Sequence, residues 1–187
     1  GQWDGAGLAK LLADRARSDR LLDQIVRFVA AHKLQGVTVD FENVPAAAHK
    51  DLESFLTRMS AAFAPRGWII AQAAPFDDDE WPYQAYAGIV DYTMLMAYDQ
   101  VDEHGPAGAI AAQDWYERIL DKRMRQLSAD STIIAIGSWA YDWAGKDAAT
   151  LLSFEDAMAT ARDTGALVQF DPATNNPHFG YTESDGT

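Results

Sequence analysis

Short apolar runs rich in β-branched residues recur along this chain, separated by longer segments with helical spacing, and that alternation restricts the fold more than any other feature. The runs are GVTVDF (36–41), WIIAQAAP (68–75), GIVDYTMLMAYD (88–99) and STIIAIGSWAYDW (131–143). Each is short enough for a strand, and the first suits a strand buried on both faces of a parallel sheet. Between them lie helical patterns at 8–33, 46–64, 81–87, 114–127 and 153–164. In the first, Leu21, Leu22, Ile25, Val26, Phe28 and Val29 recur at helical spacing, and Ser18 or Asp19 is placed to cap its stronger half. In the second, Leu52, Phe55, Leu56, Met59 and Phe63 form one stripe, stopped by Pro65-Arg66-Gly67. Strand alternating with helix implies βαβ units and a parallel sheet, either doubly wound or closed as a (β/α)8 barrel.

Three of the four runs end in polar or aromatic clusters: Asp40-Phe41-Glu42, Tyr98-Asp99 and Tyr141-Asp142-Trp143. No Gly-rich phosphate loop follows any strand. Functional residues at the C-terminal ends of strands are the mark of the barrel. Only four strands are visible, so the expectation is an incomplete piece of a barrel, treated as one catalytic-type domain over 1–187. The abrupt ends, GQWDG and YTESDGT, agree with a fragment.

Composition narrows the chemistry. The 187 residues carry a formal charge of -13, which argues against a nucleic-acid groove, and zero cysteines remove disulfides, thiolate metal sites and a Cys nucleophile together. No apolar stretch approaches the ~20 residues of a membrane span. His32, His49, His104 and His178 show no ligand spacing, and the acidic loop Asp77 to Glu80 reads as a solvated surface, so no metal or cofactor is expected. Ser138 has no Gly-x-Ser-x-Gly setting.

On a strand, Thr38, Asp40 and Glu42 share one face, with the two acids roughly 6 to 7 Å apart. Like charges that close raise the pKa of one member, so one carboxyl keeps a proton while the other stays ionised, a division suited to acid catalysis at a glycosidic oxygen. Two acids ahead of a helix also suit a plain N-terminal cap, and spacing alone leaves both readings open.

The wording of the motif goes further. Gln35-Gly36-Val37-Thr38-Val39-Asp40-Phe41-Glu42 resembles the D-G-x-D-x-D-x-E strand of glycoside hydrolase family 18, the chitinase-like barrels. Met96-Ala97-Tyr98-Asp99 resembles the family's M-x-Y-D motif on its sixth strand; Ala73-Ala74-Pro75 sits where the fifth ends; Gly137 to Trp143 is similar to the seventh and its exit. Asn43-Val44-Pro45 and the text from Met96 to Trp115 resemble the spore-cortex-lytic branch and the hydrolase-like modules of bacterial deacetylase and glycosyltransferase fusion proteins.

The resemblance implies a (β/α)8 barrel, present as about strands four to seven with their helices. It also implies hydrolysis of a β-linked N-acetylglucosamine polymer. Glu42 would be the general acid and base, Asp40 would orient the substrate's 2-acetamido group, and Tyr98 would donate to the acetamide oxygen. Thr38, Met96, Asp99, Tyr141 and Trp143 would line the sugar site, with Tyr141 and Trp143 stacking on sugar faces. The implied partner is a polysaccharide, with peptidoglycan or an exported bacterial glycan favoured over chitin. An extracytoplasmic or envelope-associated setting follows from that substrate class. The missing strands would come from other modules of a larger chain or from a second copy; unsupplied, they would leave this piece inert, with strand edges and apolar faces exposed. Phe179 to Thr187 resembles the hairpin that leads to the eighth strand.

Two positions depart from the family pattern. Gln35 and Thr38 stand where the family has its first and second Asp. Thr38 can donate a hydrogen bond to Asp40 but cannot share its charge, which leaves Asp40 more firmly ionised. The alternative function is therefore a non-catalytic carbohydrate-binding barrel that serves a neighbouring deacetylase or synthase.

Overall fold

A computed structural model of the chain describes residues 4–144 and 148–182. The chain divides into two compact units, Gly1–Met96 with Arg123–Ile134, and Ala97–Lys122 with Ala135–Thr187.

The first unit opens with two helices, α1 (Gly5–Ala13) and α2 (Arg15–His32), where the sequence pattern suggested one. Asp14 makes the break: it takes extended backbone, and its carboxylate accepts from the Arg17 N–H, so it caps α2 in place of Ser18 or Asp19. Ser18 donates instead to the Arg15 carbonyl, and Asp19 pairs with Arg15 and Arg58.

Strand β1 (Gly36–Val39) leads through a 3-10 turn (Ala46–Ala48) to α3 (His49–Phe63). The stripe read from the sequence forms the core here: Leu52, Phe55, Leu56, Met59 and Phe63 are all at most 1% exposed. Each such side chain contributes about 1.5–3 kcal/mol of burial. After α3 come β2 (Ile69–Pro75), the short α4 (Tyr83–Ala87) and β3 (Tyr92–Met96). The four-stranded sheet runs β1-β2-β3-β4, with β4 at Thr132–Ala135. The first two pairings are parallel, with Val39 beside Gln72, Gln72 beside Thr93, and Pro75 beside Met96. Gly36 faces Ile69 across the first pairing, and a Cβ at Gly36 would strike the Ile69 carbonyl oxygen.

Neighbours across a parallel pairing share a face. The face carrying Val39, Gln72, Thr93 and Leu95 is buried, while the face carrying Thr38 and Tyr92 is open. The expectation that β1 is covered on both sides fails at Thr38, which is exposed. Ile69, Tyr92 and Ile133, each 37–42% exposed, line a shallow depression that includes Thr38.

In the second unit a long loop after β3 reaches α5 (Gln113–Met124), whose last residues belong to the first unit. The run read as a single strand at 131–143 divides into β4 and β5 (Trp139–Asp142). Gly137 sits at the break, where a Cβ would crowd the Trp139 ring and Tyr98 at 3.1–3.2 Å. Strand β5 pairs antiparallel with β6 (Thr150–Ser153), an element the helical reading of 153–164 left unnoticed. Ser153 then caps α6 (Phe154–Thr164) by accepting from the Asp156 N–H, and Gly165 ends it at φ 71°. A hairpin of β7 (Gln169–Phe170) and β8 (Pro177–His178) closes the unit. The hairpin expected at 179–187 falls largely on residues 183–187, which lie outside those described.

Candidate active site

The first unit carries Thr38, Asp40, Glu42 and Met96. Regular pairing of β1 ends at Val39, so Asp40 and Glu42 stand on the loop just past the strand rather than on it. Phe41 points back to the core, its ring 6.3 Å from that of Phe55 on α3. Asn43 follows at φ 52°, a left-handed turn that ends the segment. Gly5, the first residue of α1, meets this turn so closely that a Cβ there would strike the Asn43 carbonyl oxygen. Asp40 is exposed and Glu42 half-buried. Met96, half-buried, ends β3 beside Pro75.

The chain leaving β2 in this unit is built around Arg123. This guanidinium is fully buried; it donates to the carbonyls of Phe76 (2.8 Å) and Asp78 (3.2 Å), to the Asp79 carboxylate (3.2 Å) and to the Gln126 side chain (2.9 Å). It also lies 4.2 Å over the ring of Tyr83, whose hydroxyl donates to the Pro75 carbonyl. Burial pushes the Tyr83 hydroxyl up to about 12, with Arg123 opposing, so it stays a donor. Sequence patterning missed Arg123 because a basic residue near the end of an amphipathic helix ordinarily reads as solvated.

The second unit carries Tyr98, Asp99, Tyr141 and Trp143. The Tyr98 ring meets Trp139 edge-on at 4.8 Å. Asp99 takes a left-handed backbone, φ 58°, which turns the chain sharply out of the strand direction. The Tyr141 hydroxyl donates to Asp99 Oδ1 at 3.0 Å, and the next residue, Asp142, accepts from the Tyr181 hydroxyl at 2.6 Å. Trp143 sits beside Tyr141 at 5.6 Å and donates its indole N–H to the Gly105 carbonyl at 3.0 Å. Partial burial raises the Asp99 pKa, the Tyr141 hydrogen bond opposes, and the charges of Glu103 and Asp102 add to the rise. Burial and the Asp99 carboxylate both push the Tyr141 hydroxyl upward, so it remains protonated and a donor. The alternation Trp139, Tyr141, Trp143 is a visible period-2 signal in the sequence, with the first two on β5 and Trp143 just past its end.

The loop from 99 to 112 is tied down repeatedly. Ala149 N–H donates to the Glu103 carbonyl at 2.7 Å, Ala112 N–H to the Gln100 side chain at 2.8 Å, and Asn176 brackets Ala111 by donating to its carbonyl and accepting its N–H. Asp102, Glu103 and His104 gather possible ligand atoms within 4.8 Å, but Asp102 Oδ1 already accepts the N–H groups of His104 and Gly105 and serves to turn the loop.

Residues 1–183 match the family model described as glycosyl hydrolases family 18. The chain belongs to that family. A cortical fragment-lytic enzyme of Bacillus subtilis is 24% identical over 94% of this chain and 44% of its own length. The uncharacterized glycosylase YvbX of the same organism is 23% identical over 97% of this chain and 56% of its own length. The chain thus spans about half the length of these curated relatives. Among solved structures, a chitinase from Chromobacterium violaceum superposes with a TM-score of 0.89 at 22% identity, over all of this chain and 61% of that one. The spore cortex-lytic enzyme SleL of Bacillus cereus gives 0.89 at 21% identity, over all of this chain and 45% of that one. The family 18 fold is therefore present as a partial (β/α)8 barrel. Among the described residues no helix is long and apolar enough to cross a membrane.

Proposed function

We propose that this family 18 chain, acting over 1–187 as one catalytic-type domain, hydrolyses a β-linked polysaccharide containing N-acetylglucosamine. The observation that carries the reading is Glu42, an acid held at the exit of β1 by the turn at Asn43 and by the anchoring of Phe41 on α3. Glu42 protonates the leaving glycosidic oxygen and then activates water. The nucleophile belongs to the substrate: the carbonyl oxygen of its 2-acetamido group attacks the anomeric carbon, so configuration is retained without a protein nucleophile. Asp40 orients that group and faces the positive charge of the cyclic intermediate, Tyr98 donates to the acetamide oxygen, and Asp99 accepts from a sugar hydroxyl. Thr38, Met96, Tyr141 and Trp143 complete the sugar site.

The likeness to cortical fragment-lytic enzymes supports peptidoglycan or another bacterial envelope glycan over chitin, and with it an extracytoplasmic setting. The remaining barrel strands come from further parts of a longer protein or from a second copy. One observation favours a second reading, a carbohydrate-binding module without turnover: Thr38 stands where the family pattern this strand resembles has an acid. The mechanism is tested by comparing N-acetylglucosamine oligomers with their de-N-acetylated counterparts and reading the product anomer by NMR. Cleavage of the acetylated series alone, with retention, is expected; equal cleavage of both, or an inverted product, contradicts substrate assistance.

A further inference from the structure

Tyr141 was expected to stack on a sugar, a role that uses its ring and leaves its hydroxyl idle. The structure employs the hydroxyl. It donates to Asp99 Oδ1 at 3.0 Å, and the ring edge is occupied by Trp143 at 5.6 Å and 62°. Strand β5 holds Tyr141 in register opposite Leu151 of β6, so the donor arrives from a paired element rather than a loose loop.

Asp99 needs such a partner. Its left-handed backbone is costly for a residue other than glycine and persists only where the surroundings determine it. The charged groups acting on its carboxyl, Asp102 and Glu103, are both of like sign, and among the described residues Tyr141 supplies the one side-chain hydrogen bond to it. That bond occupies Oδ1 and leaves Oδ2 available to a ligand.

We propose that Tyr141 is a positioning residue acting through Asp99, its hydroxyl fixing one carboxylate oxygen so that the other meets a sugar hydroxyl. The proposal rests on the reading of Asp99 as a sugar-binding residue. Conservation of the ring in Tyr141→Phe separates this role from stacking, because only the hydroxyl is lost.

The test uses the full-length protein as wild type, Tyr141→Phe, Tyr141→Ala, Asp99→Gly and the Tyr141→Phe/Asp99→Gly double variant, each checked for folding by thermal melt. With N-acetylglucosamine oligomers, Tyr141→Phe raises KM about tenfold, as loss of a charge-assisted hydrogen bond implies, with kcat nearly unchanged. The double variant is no worse than Asp99→Gly alone, because glycine removes the acceptor and suits the left-handed backbone. Carbon-13 titration of the Asp99 carboxyl moves upward in Tyr141→Phe, since the one group holding its pKa down is gone. Additive losses in the double variant, or a Tyr141→Phe variant that matches wild type while Tyr141→Ala fails, overturn the proposal in favour of direct contact. The titration needs no turnover. An Asp99 midpoint unchanged by Tyr141→Phe overturns the proposal even if no oligomer is cleaved, whereas a moved midpoint without cleavage upholds the positioning and refutes the enzymatic reading.

Discussion

The chain leaving β2 is held by one residue, and the chain leaving β3 by many. After β2, Arg123 alone donates to two backbone carbonyls, a carboxylate and an amide, and stacks on Tyr83, all from a fully buried position. After β3, the work is shared among Trp143, Gln100, Asn176 and the Ala149 N–H, most of them half-exposed. A buried guanidinium concentrates the stabilisation, because its donors cannot be replaced by water and every acceptor fails with it. Distributed bonds at a wetter site fail one at a time, each costing little. A loop bearing Asp99, which is exposed to solvent, suits the second arrangement.

The largest expected effect is therefore at Arg123. Arg123→Met removes the donors, strands the Phe76 and Asp78 carbonyls and should cost about 3–5 kcal/mol in denaturant unfolding. Arg123→Lys recovers only part, since an ammonium lacks the planar fork. By contrast, Trp143→Phe keeps an aromatic ring, though a smaller one, loses one hydrogen bond to Gly105 and should cost about 1 kcal/mol. Asn176→Ala should fall between, at about 1–2 kcal/mol. Equal losses at Arg123 and Trp143 would erase the distinction between the two loops.

The smallest effect separates the two regions by pH. In the first unit His49 is held below its ordinary pKa by burial, against the pull of Asp78, and its Nδ1 lies 2.7 Å from the Tyr86 hydroxyl. Burial keeps that hydroxyl protonated, and it lies within reach of both Nδ1 and the His49 carbonyl oxygen. The folded chain thus binds this proton less readily than the unfolded chain. Its stabilising contribution is complete above about pH 6.5 and fades as pH falls from there toward the folded pKa. In the second unit Asp171 is held low by the Ala173 N–H and the Thr174 hydroxyl, so its contribution fades only below about pH 4. Unfolding curves from pH 8 to 5 should soften modestly in wild type and less in His49→Asn; identical slopes would contradict the assignment.

Much of this architecture was legible because it rests on periodicity. The α3 stripe from Leu52 to Phe63 and the three parallel strands repeat at 3.6 and 2 residues, and burial follows repetition. Boundaries were harder, because single residues set them: Asp14 divides a helix, Gly137 divides a run that looked like one strand, and Asn43 and Asp99 turn the chain by left-handed backbone. The strand β6 was hidden because Thr150 to Ser153 is too short to show a period before α6 begins. At the site, residue types were readable from the strand ends, but partnerships between distant positions were not. Nothing in the spacing of Asp99 and Tyr141, or of Trp143 and Gly105, announces a bond.

The central claim is that Glu42 is the acid of a working hydrolase. Turnover of N-acetylglucosamine oligomers and peptidoglycan by full-length protein is compared with that of Glu42→Gln, which keeps the shape and removes the proton donor. A fall in kcat of about 10²–10⁴ with binding of the oligomer preserved is the predicted result; equal turnover by the two proteins, negligible or not, contradicts it.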